Sequence, residues 1–155
     1  MPVKSAPYVP TLFVLGDSIS IQYGPYLERM LAGHFACNRK GSELLGVQTP
    51  NVNRVGVLQH LAALESGLEA INGGDSASVL AYLQAKGATQ ASLGMVLLLN
   101  CGLHDVRRDP RSATRQVEPD DYAANLTDIL HLATRLSQRV IWLRTTPVVD
   151  ELHQR

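Results

Sequence analysis

The stretch Thr11-Leu12-Phe13-Val14-Leu15-Gly16 decides the fold of this 155-residue chain. A short apolar run closed by a glycine is typical of a strand that is buried on both faces of a parallel sheet. Residues 95–99 and 140–143 form two more apolar runs of this kind, and a brief strand is expected around residues 35–38. The sequence therefore predicts several buried strands that are widely spaced along the chain.

Helices are predicted between these strands. Apolar side chains recur at three- and four-residue spacing, which indicates amphipathic helices at about residues 21–34, 58–68, 76–86 and 119–136. Residues 39–54 and 102–118 are polar or rich in glycine and proline, and we expect them to form loops. Alternating strands and helices predict a three-layer α/β/α fold with a mostly parallel sheet, in one domain that spans residues 1–155.

The composition excludes several classes of protein. Fourteen basic and fourteen acidic residues give a formal charge of zero, which argues against a nucleic-acid partner or an anionic membrane surface. No apolar run approaches the roughly 20 residues of a membrane span, and no signal peptide is recognisable, so we expect a cytoplasmic protein. Cys37 and Cys101 lack ligand partners at metal-binding spacing, which predicts reduced thiols, no metal and no cofactor.

Three polar motifs follow predicted strands or open predicted helices, where parallel sheets bind their ligands. They are Gly16-Asp17-Ser18, Gly73-Gly74-Asp75-Ser76 and the segment Asn100-Cys101-Gly102-Leu103-His104-Asp105. Each has a purely structural interpretation, because Asp and Ser cap helices and paired glycines form tight turns. The second motif lacks the lysine of a phosphate-binding loop, so nucleotide binding is weakly supported.

Together the three motifs resemble the SGNH, or GDSL-type, serine hydrolases. Gly16-Asp17-Ser18 is similar to the first block of that family, Gly74 to the second, and Gly102-Leu103-His104-Asp105 to the third, usually written Gly-x-Asn-Asp. The resemblance covers nearly the whole chain. It implies a flavodoxin-like strand order and a serine esterase that removes a small acyl group, such as acetyl, from a small or carbohydrate ester through an acyl-enzyme. The length of the chain leaves open whether the family's last strand is present.

The resemblance also assigns site residues. It implies that Ser18 is the nucleophile and that the backbone N–H groups of Ser18 and Gly74 form an oxyanion hole with a side chain of the third block. His104 occupies the family's asparagine position and Asn100 is the alternative donor. Asp17 and Asp105 are expected to contact the substrate.

The catalytic base is less clearly marked. Asp150-Glu151-Leu152-His153 matches the family's Asp-x-x-His block, but it begins only three positions after Pro147, where the family has a further helix and strand. Either Asp150 and His153 form a relocated dyad, or the match is accidental. In the second case the base comes from another segment or a second subunit, and association into a homo-oligomer is expected. The alternative function is a catalytically silent binding or assembly module.

Four arginines crowd the predicted 102–118 loop, at positions 107, 108, 111 and 115. Long loops beside a site often have a functional role. These side chains either recognise a carboxylate or sugar hydroxyls, or form a solvated charge cluster.

Overall fold

A computed structural model describes residues 8–42, 70–90 and 92–147. Four strands lie in this part of the chain: β1 (Thr11–Leu15), β2 (Ala36–Arg39), β3 (Gly94–Leu99) and β4 (Ser137–Trp142). The helices of eight or more residues are α1 (Ser18–Met30), α2 (Ser76–Ala88) and α3 (Pro119–Leu136).

All four strands are parallel and lie in the order β2-β1-β3-β4. This is the flavodoxin-like order, with the first strand between the second and the third. The register pairs Leu12 with both Cys37 and Val96, so β1 is central. The prediction of a parallel sheet is confirmed.

The sheet is covered on both faces, because successive side chains of a strand point to opposite sides. On one face, apolar residues of β1, β2 and β3 pack against α1, and on the other face β1 and β3 pack against α2 and α3. The α1 face buries Leu12, Val14, Cys37, Val96 and Leu98, and the opposite face buries Phe13, Leu15, Leu97 and Leu99. The molecule is therefore a three-layer α/β/α structure, as predicted.

Two elements, α1 and β4, differ from their predicted bounds by three or more residues at one end at least. Helix α1 begins at Ser18 rather than residue 21, because Asp17 caps it, and it ends at Met30, before the left-handed Gly33 (φ 81°). Strand β4 covers residues 137–142 instead of 140–143, since its first three residues are polar and lie on an edge strand. Helix α3 has the predicted bounds. Most of the predicted 39–54 loop and all of the 58–68 helix fall outside the described residues.

Cys37 and Cys101 are both buried, and neither forms a disulfide within the described part of the chain. Within residues 8–42, 70–90 and 92–147, no three histidine, cysteine or acidic side chains form a group that could hold a metal ion. None of the described helices combines the length and the apolar character that a membrane crossing requires.

Candidate active site

The three polar motifs meet at the carboxyl ends of β1 and β3, although they are far apart in the sequence. The Gly73 N–H donates to the Gly16 carbonyl (2.7 Å), and the Asn100 N–H donates to the Leu15 carbonyl (3.1 Å). A side chain at position 73 would place its Cβ 2.9 Å from the Gly16 oxygen, so only glycine permits this approach. These contacts bring the loops that follow β1 and β3 and the loop that precedes α2 to one edge of the sheet.

Asp17 holds the first of these loops. Its side chain is 2% exposed, and Oδ1 accepts hydrogen bonds from the Ile19 N–H (3.0 Å) and from Asn100 Nδ2 (2.9 Å). The Tyr23 hydroxyl in turn donates to Asn100 Oδ1 (3.3 Å). The carboxylate therefore caps α1 from inside the protein, and its expected contact with the substrate stays a prediction.

Ser18 is the first residue of α1 and is half-buried. Asp17, not Ser18, caps the helix, and the Ser18 hydroxyl forms no hydrogen bond within the described part of the chain. The N–H groups of a first helical turn and the helix dipole both stabilise negative charge nearby. The hydroxyl is therefore available for chemistry at a position that favours an anion.

Gly74 adopts a left-handed conformation (φ 76°), which a glycine allows without strain. Its N–H, predicted to face an oxyanion, donates to Asn72 Oδ1 (2.9 Å). The Asn72 side chain must turn away before this N–H can bind a ligand. Gly74 thus has the predicted place beside the first block, with its donor occupied by a neighbouring amide.

Asp105 anchors the third block to α2. The carboxylate is 3% exposed and accepts the Ser76 N–H (3.0 Å) and a hydrogen bond from the Ser76 hydroxyl. Asn125 Nδ2 on α3 also donates to the Ser76 hydroxyl (3.0 Å). Asp105 therefore fixes the start of α2, and its expected contact with the substrate stays a prediction.

His104 and Asn100, the two candidate donors of the third block, differ in accessibility. Asn100 is 6% exposed, and both ends of its amide are used by Asp17 and Tyr23. The His104 side chain is half-buried, and its ring forms no hydrogen bond with any described residue. Of the two, His104 is the donor that a ligand can reach.

His104 also lies near the carboxylate of Asp75, which caps α2 by accepting the Ser78 N–H (2.8 Å). Burial raises the pKa of the Asp75 carboxyl, but hydrogen bonds from Gln116 and Ser78, together with the nearby His104, lower it by more. The pKa of Asp75 therefore lies below its usual value. Asp75 is therefore an anion beside the imidazole at neutral pH.

Arg39, at the end of β2, is a residue that the sequence analysis missed. It is 4% exposed, and Nη2 donates to Ser20 Oγ (3.0 Å), while the Ser20 hydroxyl donates to the Asp17 carbonyl (2.7 Å). Its other described acceptors are the Ser20 and Ile71 carbonyls, and Nε has no partner. Burial lowers the pKa of the guanidinium. A charged residue at the carboxyl end of a strand was the signal that could have revealed it.

Two recesses lined by described residues, of about 330 and 470 Å³, lie at the opposite edge of the sheet. Both are lined by Ser92, Gly94 and Gln138, and their described linings contain no histidine, cysteine or carboxylate. The chemistry-bearing side chains are therefore at the carboxyl edge.

Asp150 and His153 lie outside the described residues. Comparison of the chain with protein-family models, curated proteins and solved structures gave no match.

Proposed function

We propose that this chain is a serine esterase that hydrolyses a small or carbohydrate O-acyl ester through an acyl-enzyme on Ser18. The observation that carries the proposal is the contrast between Ser18 and its neighbours. The Asp17, Asn100 and Asp105 side chains are buried, and their hydrogen bonds hold loops together. The Ser18 hydroxyl, at the helix N-terminus, is uncommitted within the described residues.

The reaction has two steps. The Ser18 Oγ attacks the ester carbonyl while an imidazole takes its proton, and the resulting oxyanion lies against N–H donors of the first turn of α1. The imidazolium then returns the proton to the departing alcohol, which leaves the acyl group on Ser18. Water attacks this second ester in the same way and releases the acid.

His104 can serve this reaction in two ways, as a donor to the oxyanion or as the proton acceptor. Among the described residues, the other histidines are His34, in the turn after α1, and His131, on the exposed side of α3. Neither lies at the carboxyl edge with Ser18. An imidazole ring carries an N–H that can donate a hydrogen bond, and His104 stands at the family's asparagine position, so we assign it the donor role.

The nucleophile is tested with a serine-directed phosphonate probe and a short aryl acetate. Ser18→Ala is expected to abolish both labelling and hydrolysis, whereas Ser92→Ala, an exposed serine at the opposite edge, is expected to leave both unchanged. Equal hydrolysis by wild type and Ser18→Ala, with no labelling of either, contradicts the proposal.

Three further variants assign the imidazoles. His104→Asn keeps a donor but cannot take a proton, so a donor role predicts that it remains active while His104→Ala loses a factor on the order of 10²–10³. A base role predicts that both lose a factor on the order of 10²–10⁴. His153→Ala tests the remaining histidine of the Asp-x-x-His match, and an unchanged rate contradicts the relocated dyad.

One observation favours the alternative, a binding module without catalysis. The Gly74 N–H is bonded to Asn72 instead of being open to a ligand. Asn72→Ala separates the two functions, because it frees this N–H. An esterase is expected to keep or gain activity in this variant, and a binding module remains inactive.

A further inference from the structure

Residues 107–117 form a short antiparallel hairpin, which we call the arginine hairpin. The Gln116 N–H donates to the Arg107 carbonyl (2.8 Å), and Arg108 pairs with Arg115 as an isolated bridge. The Asp109 carboxylate accepts the N–H groups of Arg111 (2.7 Å) and Ser112 (3.0 Å). The backbone is therefore held in a defined shape, so that the positions of the four arginine Cα atoms are fixed relative to one another.

The hairpin concentrates positive charge. It contains four arginines and one aspartate, which gives 4 − 1 = +3, although the whole chain has a formal charge of zero. All four arginines are exposed, and none is paired with a carboxylate of the described residues. Among the described residues, the Arg108 guanidinium donates from Nη1 to the Ala113 carbonyl (3.3 Å). The Asp109 carboxylate is engaged by backbone N–H groups, which lower its pKa and keep it charged.

The hairpin is attached directly to the candidate active site. Gln116 Nε2 donates to Asp75 Oδ2 (2.7 Å), and the Val117 N–H donates to the Asp105 carbonyl (3.3 Å). At its other end, the Arg107 N–H donates to the His104 carbonyl (3.2 Å). The hairpin thus grows from the same residues that place His104 and the start of α2.

We propose that the arginine hairpin binds an oxyanion on the substrate, so that the preferred substrate is an acidic ester: an acyl ester whose alcohol portion carries a carboxylate or sulfonate-like group. Guanidinium groups bind such anions through paired, charge-assisted hydrogen bonds. The net positive charge of the hairpin also attracts anions toward it before contact. This inference rests on the proposed esterase function for its kinetic readout.

The kinetic experiment compares 4-acetoxybenzoate and 4-acetoxybenzenesulfonate with the neutral methyl 4-acetoxybenzoate, each corrected for its rate of hydrolysis by hydroxide. The wild type is expected to show a higher kcat/KM for the anionic esters, and the two anionic probes show whether a carboxylate or a sulfonate is preferred. Each arginine-to-glutamine change at a hairpin position that contacts the anion is expected to lower kcat/KM for an anionic ester two- to five-fold, roughly the range for an exposed ion pair. The rate on the neutral ester should change less than two-fold.

The controls separate recognition from folding and from bulk charge. Arg135→Gln and Arg139→Gln remove exposed arginines of α3 and β4 and are expected to leave the anionic preference unchanged. Arginine-to-lysine variants of the hairpin keep the charge, so partial retention of the preference identifies the paired geometry of the guanidinium. A wild type without anionic preference, or an equal loss on all three esters, overturns the proposal.

A binding measurement distinguishes failure of this inference from failure of the esterase proposal. Ser18→Ala cannot form the acyl-enzyme, so 4-acetoxybenzoate and its methyl ester can be titrated against it by NMR, with the arginine side-chain N–H signals as the readout. Tighter binding of the anion, lost when the four hairpin arginines are replaced by glutamine, supports the hairpin even if the wild type hydrolyses nothing. Equal binding of the two esters overturns it.

Discussion

A single methyl group at Gly16 tests how the candidate site is assembled. An alanine Cβ there would lie 2.1 Å from Asn100 Oδ1 and 2.8 Å from Asn100 Cγ, so the Asn100 side chain must move. Its hydrogen bonds with the Asp17 carboxylate and the Tyr23 hydroxyl are then lost. A bond to a charged group contributes about 1.5–3 kcal/mol, a neutral bond about 0.5–1.5 kcal/mol, and overpacking costs about 1–3 kcal/mol. Gly16→Ala should therefore reduce the free energy of unfolding by about 3 kcal/mol or more.

The matched control is Gly87→Ala in α2, where the nearest heavy atom to the added Cβ is Leu132 Cδ2 at 3.7 Å. Alanine in a helix is more stable than glycine by about 0.5–1 kcal/mol, so this variant should gain stability. Urea denaturation followed by circular dichroism measures both changes. In thermal unfolding, 1 kcal/mol corresponds to about 2–4 °C in Tm for a chain of this size.

A double variant locates the clash. Asn100→Ala removes the two amide atoms nearest the new Cβ and leaves only Ser20 Cβ, at 2.9 Å, to adjust, so Gly16→Ala/Asn100→Ala should be more stable than the sum of the two single changes predicts. Residues in contact typically couple by about 0.5–3 kcal/mol in such cycles. Additive effects, or a Gly16→Ala protein as stable as the wild type, would refute the placement of Asn100 over Gly16.

Two further predictions concern buried ionisable groups. Burial raises the pKa of the Cys101 thiol from 9.0 to about 12. Burial also raises the pKa of the Tyr23 hydroxyl from 10.0 to about 12, because the nearby Asp17 adds to the effect of burial and Arg39 opposes it only in part. The folded protein therefore loses these protons at a higher pH than the unfolded chain does. The free energy of unfolding is unaffected below about pH 9. Above that pH it falls by about 1.4 kcal/mol per pH unit for each titrating group, as the pH approaches 12. Urea midpoints across this window should show the decline, with a shallower slope in Tyr23→Phe and Cys101→Ala; equal slopes in all three proteins would contradict it. Asp105→Ala leaves the Ser76 N–H and hydroxyl without their acceptor and should cost about 2–4 kcal/mol by urea denaturation, whereas Asp128→Ala on the exposed side of α3 should change little.

The central part of the fold is predictable from the sequence because β1 and β3 are buried on both faces. Their apolar runs, such as 12–15 and 95–99, have no other stable place in a soluble domain. The edge strand β4 is different, since Ser137, Gln138 and Arg139 lie half-buried or exposed and give no apolar signal. The apolar run therefore marks only the second half of that strand.

The location of the site is predictable, but the roles of its carboxylates are not. Polar residues after β1 and β3 must meet at one edge once the sheet is parallel, and the observed contacts agree. A carboxylate after a strand has the same sequence signature whether it caps a helix from inside or faces a ligand. Only their burial distinguishes Asp17 and Asp105 from carboxylates that face a ligand, and that burial depends on residues distant in the sequence, Asn100 for Asp17 and Ser76 for Asp105.

Because the guanidinium of Arg39 is buried, selection for thermal stability and selection for the proposed activity are expected to favour different residues at position 39. Its described hydrogen bonds go to neutral oxygens and the Nε–H donates none, so these bonds compensate the desolvation of the charge only in part, with a further contribution from the nearby Glu28 carboxylate. Selection for thermal stability alone would favour an uncharged side chain of similar length, such as methionine. Selection for the proposed esterase activity would keep arginine, because it donates to the Ser20 hydroxyl and so stabilises the turn that follows Ser18. In a library of variants at position 39, the most heat-resistant variants are therefore expected to carry a different residue from the variants most active in the proposed reaction.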